Sequence, residues 1–434
     1  MSWVNMLIFY AVFLSLLIGI GCPIAVAIGL VAIGGLVVRG GFMYLPTIGD
    51  IIWNSGNSFT LVAIPMFILM GEIILQTGLS RRFYRGLSVL LGRVPGGLAH
   101  ANIVGCAGFS AICGSSVACG LTMGQVALPE LRKRNYNIRL ATGSLAAGGT
   151  LGILIPPSIP MIIYAVTVQA SILDLFMAGV VPGLMLSGLF MVWTWVSIRR
   201  NPELVPPKSE ARLSAKEAAG ALIDCLSFVI LIGLTIGSLY SGIVTPTEAG
   251  AFGAFAAFLI SLVYGELNPR RIASAFFNTV GTTTVVYYII VCGSILSFGI
   301  VDSGIARGVS GWVVEKQLTP LQFFLFVTVI YIVLGMLIEG VAMMLLTVPV
   351  LLPSILALGF DPVWFGVILV VFIEVGALTP PMGLNLFTIK SVAPDVDLKD
   401  VIAGAFPYLC MMFLGIAILY TFPQIALWLP GSLH

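Results

Sequence analysis

The chain has 434 residues, of which 59% are hydrophobic and only 9% charged, with a net charge of +2. Soluble domains carry about 25% charged residues, so this composition excludes an ordinary soluble fold and places most of the chain in lipid. Its apolar runs are long enough to cross ~30 Å of hydrocarbon, about 20 residues each, and ~10-residue alternating strands are absent; the chain reads as an all-α polytopic membrane protein, not a β-barrel.

The N-terminal stretch MSWVNMLIFYAVFLSLLIGIGCPIA lacks a basic start and a clear small-residue cleavage site, and is read as a first span rather than a cleaved signal. Further spans are expected near 24–38 and 56–78. Arg81, Arg82, Arg85 and Arg93 precede the segment 96–131, and Arg132, Lys133, Arg134 and Arg139 follow it. Basic residues concentrate in short cytoplasmic loops, so both ends of that segment lie on one side and it must return as a hairpin, its tip near CGSSVACG at 113–120. A broken span at 140–168 and a span at 175–198 complete a first half, residues 1–198, with scaffold spans in 1–80. The hydrophilic stretch 199–218, with Arg199, Arg200, Lys208, Arg212 and Lys216, is the expected cytoplasmic link. The second half, 219–434, reads as scaffold spans at 219–240, 246–264 and 276–300, a hairpin at 320–355, a broken span at 362–390 and a span at 402–428. Arg270, Arg271, Lys390 and Lys399 mark further cytoplasmic turns. Arg39 falls on the outer side and breaks the charge rule.

The two halves share residues at a nearly constant spacing. Pro380-Pro381 lies 224 positions beyond Pro156-Pro157 (380 − 156), and the same shift lays GILIPP from Gly152 over GALTPP from Gly376. It also pairs Leu128-Pro129 with Leu352-Pro353 and Val117-Ala118 with Val341-Ala342. Several matches along one offset indicate two homologous halves. The linker and the charge flanks make them inverted relative to each other, each with a re-entrant hairpin and a broken helix.

Irregular backbone at membrane depth is tolerated only where protein or a water-filled cavity satisfies it, and transporters build ion and substrate sites from such interrupted helices. Proline cannot donate a hydrogen bond and clashes with the preceding turn, so Pro156, Pro157, Pro380 and Pro381 leave carbonyls free. Gly149, Gly152 and Gly376 admit a second backbone, while Thr150, Ser158, Thr379 and Asn385 add side-chain oxygens. Oxygen donors of this kind suit a hard cation such as Na⁺. The hairpin tips supply Gly114, Ser115 and Ser116, matched by Glu339 and Gly340. The sodium ligands are therefore expected among Ser115, Ser116, Gly152, Gly340, Gly376 and Thr379, each tip meeting the broken span of its own half with substrate between the two sites. Glu339 is costly in lipid, so it holds sodium, exchanges a proton or pairs structurally. Glu72, Glu248 and Glu374 also lie in or near spans and read mainly as structural partners.

Other chemistries lack their residues. Seven scattered cysteines form no CxxC motif, only His100 and His434 are present, and no GxxxxGK[ST] loop signals ATP hydrolysis. No organic cofactor and no nucleic acid is expected.

GFSAICGSSVACG, the run from PELRKRNYN through GILIPPSIPMIIYAVTVQASILDLFMAGVVPG, TPTEAGAFGA at 245–254, EGVAMMLLTVPVLLP at 339–353 and ALTPPMGLNLF at 377–387 occur in order. Together they resemble the large membrane subunit of tripartite ATP-independent periplasmic (TRAP) transporters along essentially the whole chain. The CGSSVAC tip is richer in cysteine than that family's pattern. The resemblance implies an elevator-type transporter of the bacterial inner membrane, not an enzyme. It implies sodium-driven import of an organic acid anion, of the C4-dicarboxylate, sugar acid or sialic acid class. It also implies two partners on separate chains, a small membrane subunit and a periplasmic substrate-binding protein. A transport domain of hairpins and broken spans would slide against a scaffold that docks the small subunit. A self-sufficient divalent-anion carrier and a membrane-embedded enzyme are the competing readings.

Overall fold

A computed structural model describes residues 2–207 and 214–433. Lys208 and Arg212 of the expected linker lie outside the described residues. Among those described there are helices and no strand, and eight helical stretches are long and apolar enough to cross a membrane.

The first half begins with α1 (Trp3–Gly19), α2 (Ile24–Gly40), α3 (Leu45–Gly56) and α4 (Ala63–Thr77). The expected span 56–78 is the helical stretch from Phe59 to Thr77 that ends in α4; the unexpected piece is α3, which carries the stretch begun by α2 on to Gly56. Pro46 at the start of α3 and Pro65 at the start of α4 sit where the missing N–H costs nothing. α5 (Leu79–Leu90) is amphipathic and short, and had no place among the expected spans. Gly78, at φ 72°, makes the left-handed turn that redirects α4 into α5. The first hairpin is α6 (Gly97–Cys113) and α7 (Ser116–Lys133). The broken span is α8 (Ile138–Thr150) and α9 (Ile159–Val168), followed by α10 (Ile172–Arg200).

The second half repeats this order. It runs through α11 (Ala215–Tyr240), α12 (Pro246–Val263), α13 (Pro269–Asp302) and a short α14 (Ile305–Glu315), which again follows a left-handed glycine, Gly304 at φ 74°. The second hairpin is α15 (Pro320–Gly335) and α16 (Gly340–Ala357). The second broken span is α17 (Pro362–Leu378) and α18 (Leu384–Val392), followed by α19 (Leu398–Thr421) and α20 (Gln424–Leu433). The expected span 402–428 is therefore two helices, parted at Phe422-Pro423, where proline stops α19. Thr245 with Glu248 and Thr319 with Gln322 form capping boxes at the starts of α12 and α15, so Glu248 is a helix cap.

α8 and α17 form the centre. Every residue from Leu140 to Thr150 and from Trp364 to Gly376 is buried. α4, α12, α13 and α2 pack on one another, with Gly250 and Gly253 of α12 against Met66 and Met70 of α4. Arg39 meets Asp302 at 2.6 Å, and Tyr44 donates to the same carboxylate at 2.9 Å. A paired arginine at the end of α2 accounts for its exception to the charge rule.

On the basic side, Arg132 binds Asp395 and Arg139 binds Asp400, both at 2.8 Å, tying the first half's hairpin and broken span to the second half's loop before α19 and to the first turn of α19. Glu266 sits between Arg271 at 2.9 Å and Arg82 at 3.5 Å. The Arg271 hydrogen bond, aided by Arg82, holds its carboxyl below the usual glutamate range.

Candidate transport site

The tip of the first hairpin is Gly114-Ser115, and the tip of the second runs from Met336 to Glu339. Ser115 and Glu339, 224 positions apart in sequence, do the same local work. The Ser115 hydroxyl accepts from Ala118 N at 3.4 Å and caps α7. One Glu339 oxygen accepts from Val341 N at 3.0 Å and Ala342 N at 3.2 Å and caps α16. A hairpin that turns inside the membrane exposes helix N–H groups there, so each tip must supply its own acceptor.

Each tip lies against the broken span of its own half. A Cβ on Gly152 would sit 2.6 Å from Ser116 Cα and 2.7 Å from the Ser115 carbonyl oxygen. A Cβ on Gly376 would sit 2.6 Å from Gly335 Cα. Gly149 faces Gly120 and the Ser116 carbonyl, and Gly340 faces Ile373. Glycine at 149, 152 and 376 is what permits backbone-to-backbone approach, while at 340 it makes room for the Ile373 side chain.

Between the tips lies a cavity of about 410 Å³. Gly114, Ser115 and Ser116 line it from one hairpin, and Glu339 and Gly340 from the other. Ile68, Gly71 and Glu72 of α4 and Thr282 and Val286 of α13 close the opposite wall. The first turns of α7 and α16 both border it, so two positive helix ends converge on the space. No lysine or arginine lines it; Glu72 and Glu339 do. Glu72 accepts from Asn278 Nδ2 at 3.0 Å.

The remaining candidates lie behind the tips, outside the cavity wall. Thr150 donates to the Ala147 carbonyl at 2.6 Å and Thr379 to the Val375 carbonyl at 2.6 Å, so each hydroxyl bonds back to its own helix. The Ser158 hydroxyl caps α9 at Met161 N, 3.4 Å. The peptide bonds Pro156-Pro157 and Pro380-Pro381 are both cis. The breaks differ in cover, since 154–158 are wholly buried whereas Pro380, Pro381 and Met382 are exposed. α10 lies over the first break, through Gly179 on Leu154 and Gly183 on Ile155.

Asn385 is buried and donates to Glu374 Oε2 at 3.2 Å. Glu374 was absent from the candidate set. An acidic residue in the apolar run VWFGVILVVFIEVGAL was the available signal, but its partner lies across the helix break, where periodicity carries no information.

The family model for the tripartite ATP-independent periplasmic transporter DctM component matches residues 10–425. The chain belongs to this family. It is 33% identical to the C4-dicarboxylate TRAP transporter large permease protein DctM of Rhodobacter capsulatus, over 98% of this chain and 99% of that one. The sialic acid TRAP transporter large permease protein SiaM of Vibrio cholerae is 33% identical over 86% of this chain and 87% of that one. Among solved structures, the YdaH transporter of Alcanivorax borkumensis superposes with a TM-score of 0.59 at 15% identity, covering 90% of this chain and 89% of that one. The fold is therefore an elevator-type transporter fold of two inverted repeats with re-entrant hairpins and broken helices. As a DctM-family large permease, the chain is a multi-pass membrane transport subunit and not an enzyme.

Proposed function

We propose that this DctM-family subunit imports an organic acid anion by sodium symport across the bacterial inner membrane. It works with a small membrane subunit and a periplasmic binding protein. The observation that carries the reading is the cavity where both hairpin tips converge, each tip in backbone contact with the broken helix of its own half. Two helix N-termini border that cavity and suit a carboxylate, which the absence of lysine and arginine leaves as the available anion-binding groups. Carbonyl and hydroxyl oxygens around Ser115, Ser116 and Gly152, and around Gly340, Gly376 and Thr379, suit sodium. Bound sodium would also offset Glu72 and Glu339, which otherwise repel an anion. In the cycle we envisage, α6–α10 and α15–α20 move together as the transport domain against α1–α5 and α11–α14.

The substrate class follows relatives named for C4-dicarboxylates and sialic acid, both organic acids. The test is uptake of labelled organic acids into proteoliposomes holding the large and small subunits, with purified binding protein outside. Accumulation that needs both an inward sodium gradient and the binding protein is the expected result. Uptake without the binding protein would favour a self-sufficient carrier, and uptake driven only by a pH gradient would remove sodium from the reading.

A further inference from the structure

α4, α12 and α13 leave a groove of about 270 Å³ between them. Small side chains open it, Ala251 and Ala254 on α12 and Ala275 on α13, while the exposed rings of Phe255 and Phe276 form its lips. The Thr77 hydroxyl in its wall already donates to the Ile73 carbonyl at 2.7 Å, and Gln76 reaches Glu72 at 3.5 Å. The walls therefore ask for hydrocarbon and for no hydrogen bond. Along α4 the groove runs from Met66 to Thr77, 11 residues (77 − 66) and hence ~16 Å. That is about half of a ~30 Å hydrocarbon core, the depth of one leaflet.

Its mouth carries a surplus of positive charge. Arg271 lines it and shares one carboxylate, Glu266, with Arg82, at 2.9 Å and 3.5 Å. Two guanidiniums on one carboxylate leave one charge over. Arg81 and Arg270, next to them in the chain, are exposed and have no acidic partner among the described residues. The first turn of α13 starts here too, at Pro269, and adds its positive end. Basic residues concentrate on the cytoplasmic side, where basic pockets between membrane helices hold acidic lipid headgroups. We propose that the groove binds one anionic phospholipid of the cytoplasmic leaflet, with an acyl chain between α4, α12 and α13 and the phosphate at Arg271, Arg270 and Arg81. The small membrane subunit is the rival occupant, but apolar walls one leaflet deep with a cationic mouth fit a molecule with one apolar tail and one anionic head. Occupancy bears on transport through α4. Leu69, Ile73 and Gln76 face the groove, whereas Ile68 and Glu72 on another face of that helix line the central cavity. A chain seated in the groove thus braces the helix that carries Glu72.

The experiment takes the complex of large and small subunits, delipidated in detergent, and titrates it with phosphatidylglycerol or with phosphatidylcholine of the same chain length. Thermal unfolding reads binding, since a ligand of the folded state raises the midpoint. Wild type is compared with the double variant Arg81→Gln, Arg270→Gln, with Ala251→Phe, which puts a ring into the groove, and with Arg200→Gln. Arg200 is exposed at the end of α10 and does not line the groove. Phosphatidylglycerol is expected to act saturably, at a half-saturating concentration at least about tenfold below that of phosphatidylcholine. That concentration should rise about 25-fold in the double variant, roughly fivefold for each arginine, and stay at the wild-type value in Arg200→Gln. Ala251→Phe should lose the saturable response. Equal responses to the two lipids overturn the proposal, as does an Arg200→Gln loss as large as that of the double variant, or an intact Ala251→Phe complex with the wild-type curve. A wild-type complex with no saturable response gives the groove to the small subunit and overturns it as well. Where Ala251→Phe fails to assemble, the double variant, whose positions are exposed and unpaired, decides alone: an unchanged half-saturating concentration there overturns the site.

Discussion

Replacing Gly376 by alanine tests the contact on which the second half of the site is built. The new Cβ would lie 2.6 Å from Gly335 Cα and 3.0 Å and 3.1 Å from the Gly335 carbonyl carbon and oxygen. Normal carbon contacts lie near 3.5–4.0 Å, so hairpin and broken helix must part by about 1 Å. Both sides of the contact are backbone, and no side chain can rotate away. Overpacking of this kind costs about 1–3 kcal/mol. Alanine's better helix propensity returns about 1 kcal/mol, leaving a net loss of roughly 0–2 kcal/mol. Gly281 in α13, with nothing within 4 Å of its would-be Cβ, is the control. There the same substitution is expected to be neutral or mildly stabilising. Thermal unfolding of the purified complex in detergent reads the difference, and uptake reads its effect on the cycle. A Gly376→Ala complex that melts with or above the Gly281→Ala complex would refute the backbone contact.

Gly152→Ala should behave like Gly376→Ala, since its Cβ would meet Ser116 Cα at 2.6 Å; equal melting of wild type and variant would count against it. Glu339→Gln keeps an acceptor for the Val341 and Ala342 amides and should leave stability unchanged, whereas Glu339→Ala should lose a cap worth about 1 kcal/mol by thermal unfolding. Any change in sodium dependence in the glutamine variant then reports the charge. Asp395 is held below the usual aspartate range by Arg132, so a folded value below the unfolded one adds stability above about pH 4 that is lost on further acidification. Melting of wild type and Asp395→Asn should therefore differ at pH 7 and converge near pH 3; a gap that persists at pH 3 would contradict it. Cysteine at Met382 should react faster with a water-soluble maleimide than cysteine at Ser158; equal rates would contradict the difference in cover.

The sequence carried the long features of this fold because lipid writes them in composition. Span length, the arginines flanking α6 and α7, and the prolines of the breaks are each forced by hydrocarbon thickness, by topology or by a missing N–H. α3 was hidden, because its polar Asp50, Asn54 and Ser55 read as a loop between two spans. α5 and α14 were hidden for another reason. They are amphipathic and short, and span-length windows pass over them, although Gly78 and Gly304 marked the turns that create them. In the site, the glycines were legible because only glycine admits a second backbone. The hydroxyls were less so. Serine and threonine bond to their own helices as readily as to a ligand, and Thr150, Thr379 and Ser158 do so here. Glu374 escaped because its partner, Asn385, lies across the helix break, a relation that no local pattern encodes.

The two breaks carry the same Pro-Pro pair and the same preceding glycine, yet one is sealed and the other exposed. Residue chemistry at the breaks cannot produce that difference; their cover does. Gly179 and Gly183 bring α10 onto Leu154 and Ile155. In the second half AGAFP at 403–407, the counterpart of AGVVP at 178–182 in the first, turns elsewhere. There Gly404 packs against the Arg139 carbonyl at the start of α8, and Tyr408 shares a hydrogen bond with Thr194 of α10. α19 is thus engaged with the first half, and Pro380–Met382 stays uncovered beside an apolar crevice of about 770 Å³ that Met382 lines together with α1, α14, α15 and α16. The difference between the breaks therefore lies in helix-on-helix contacts made by Gly179, Gly183 and Gly404, positions that do not line the cavity.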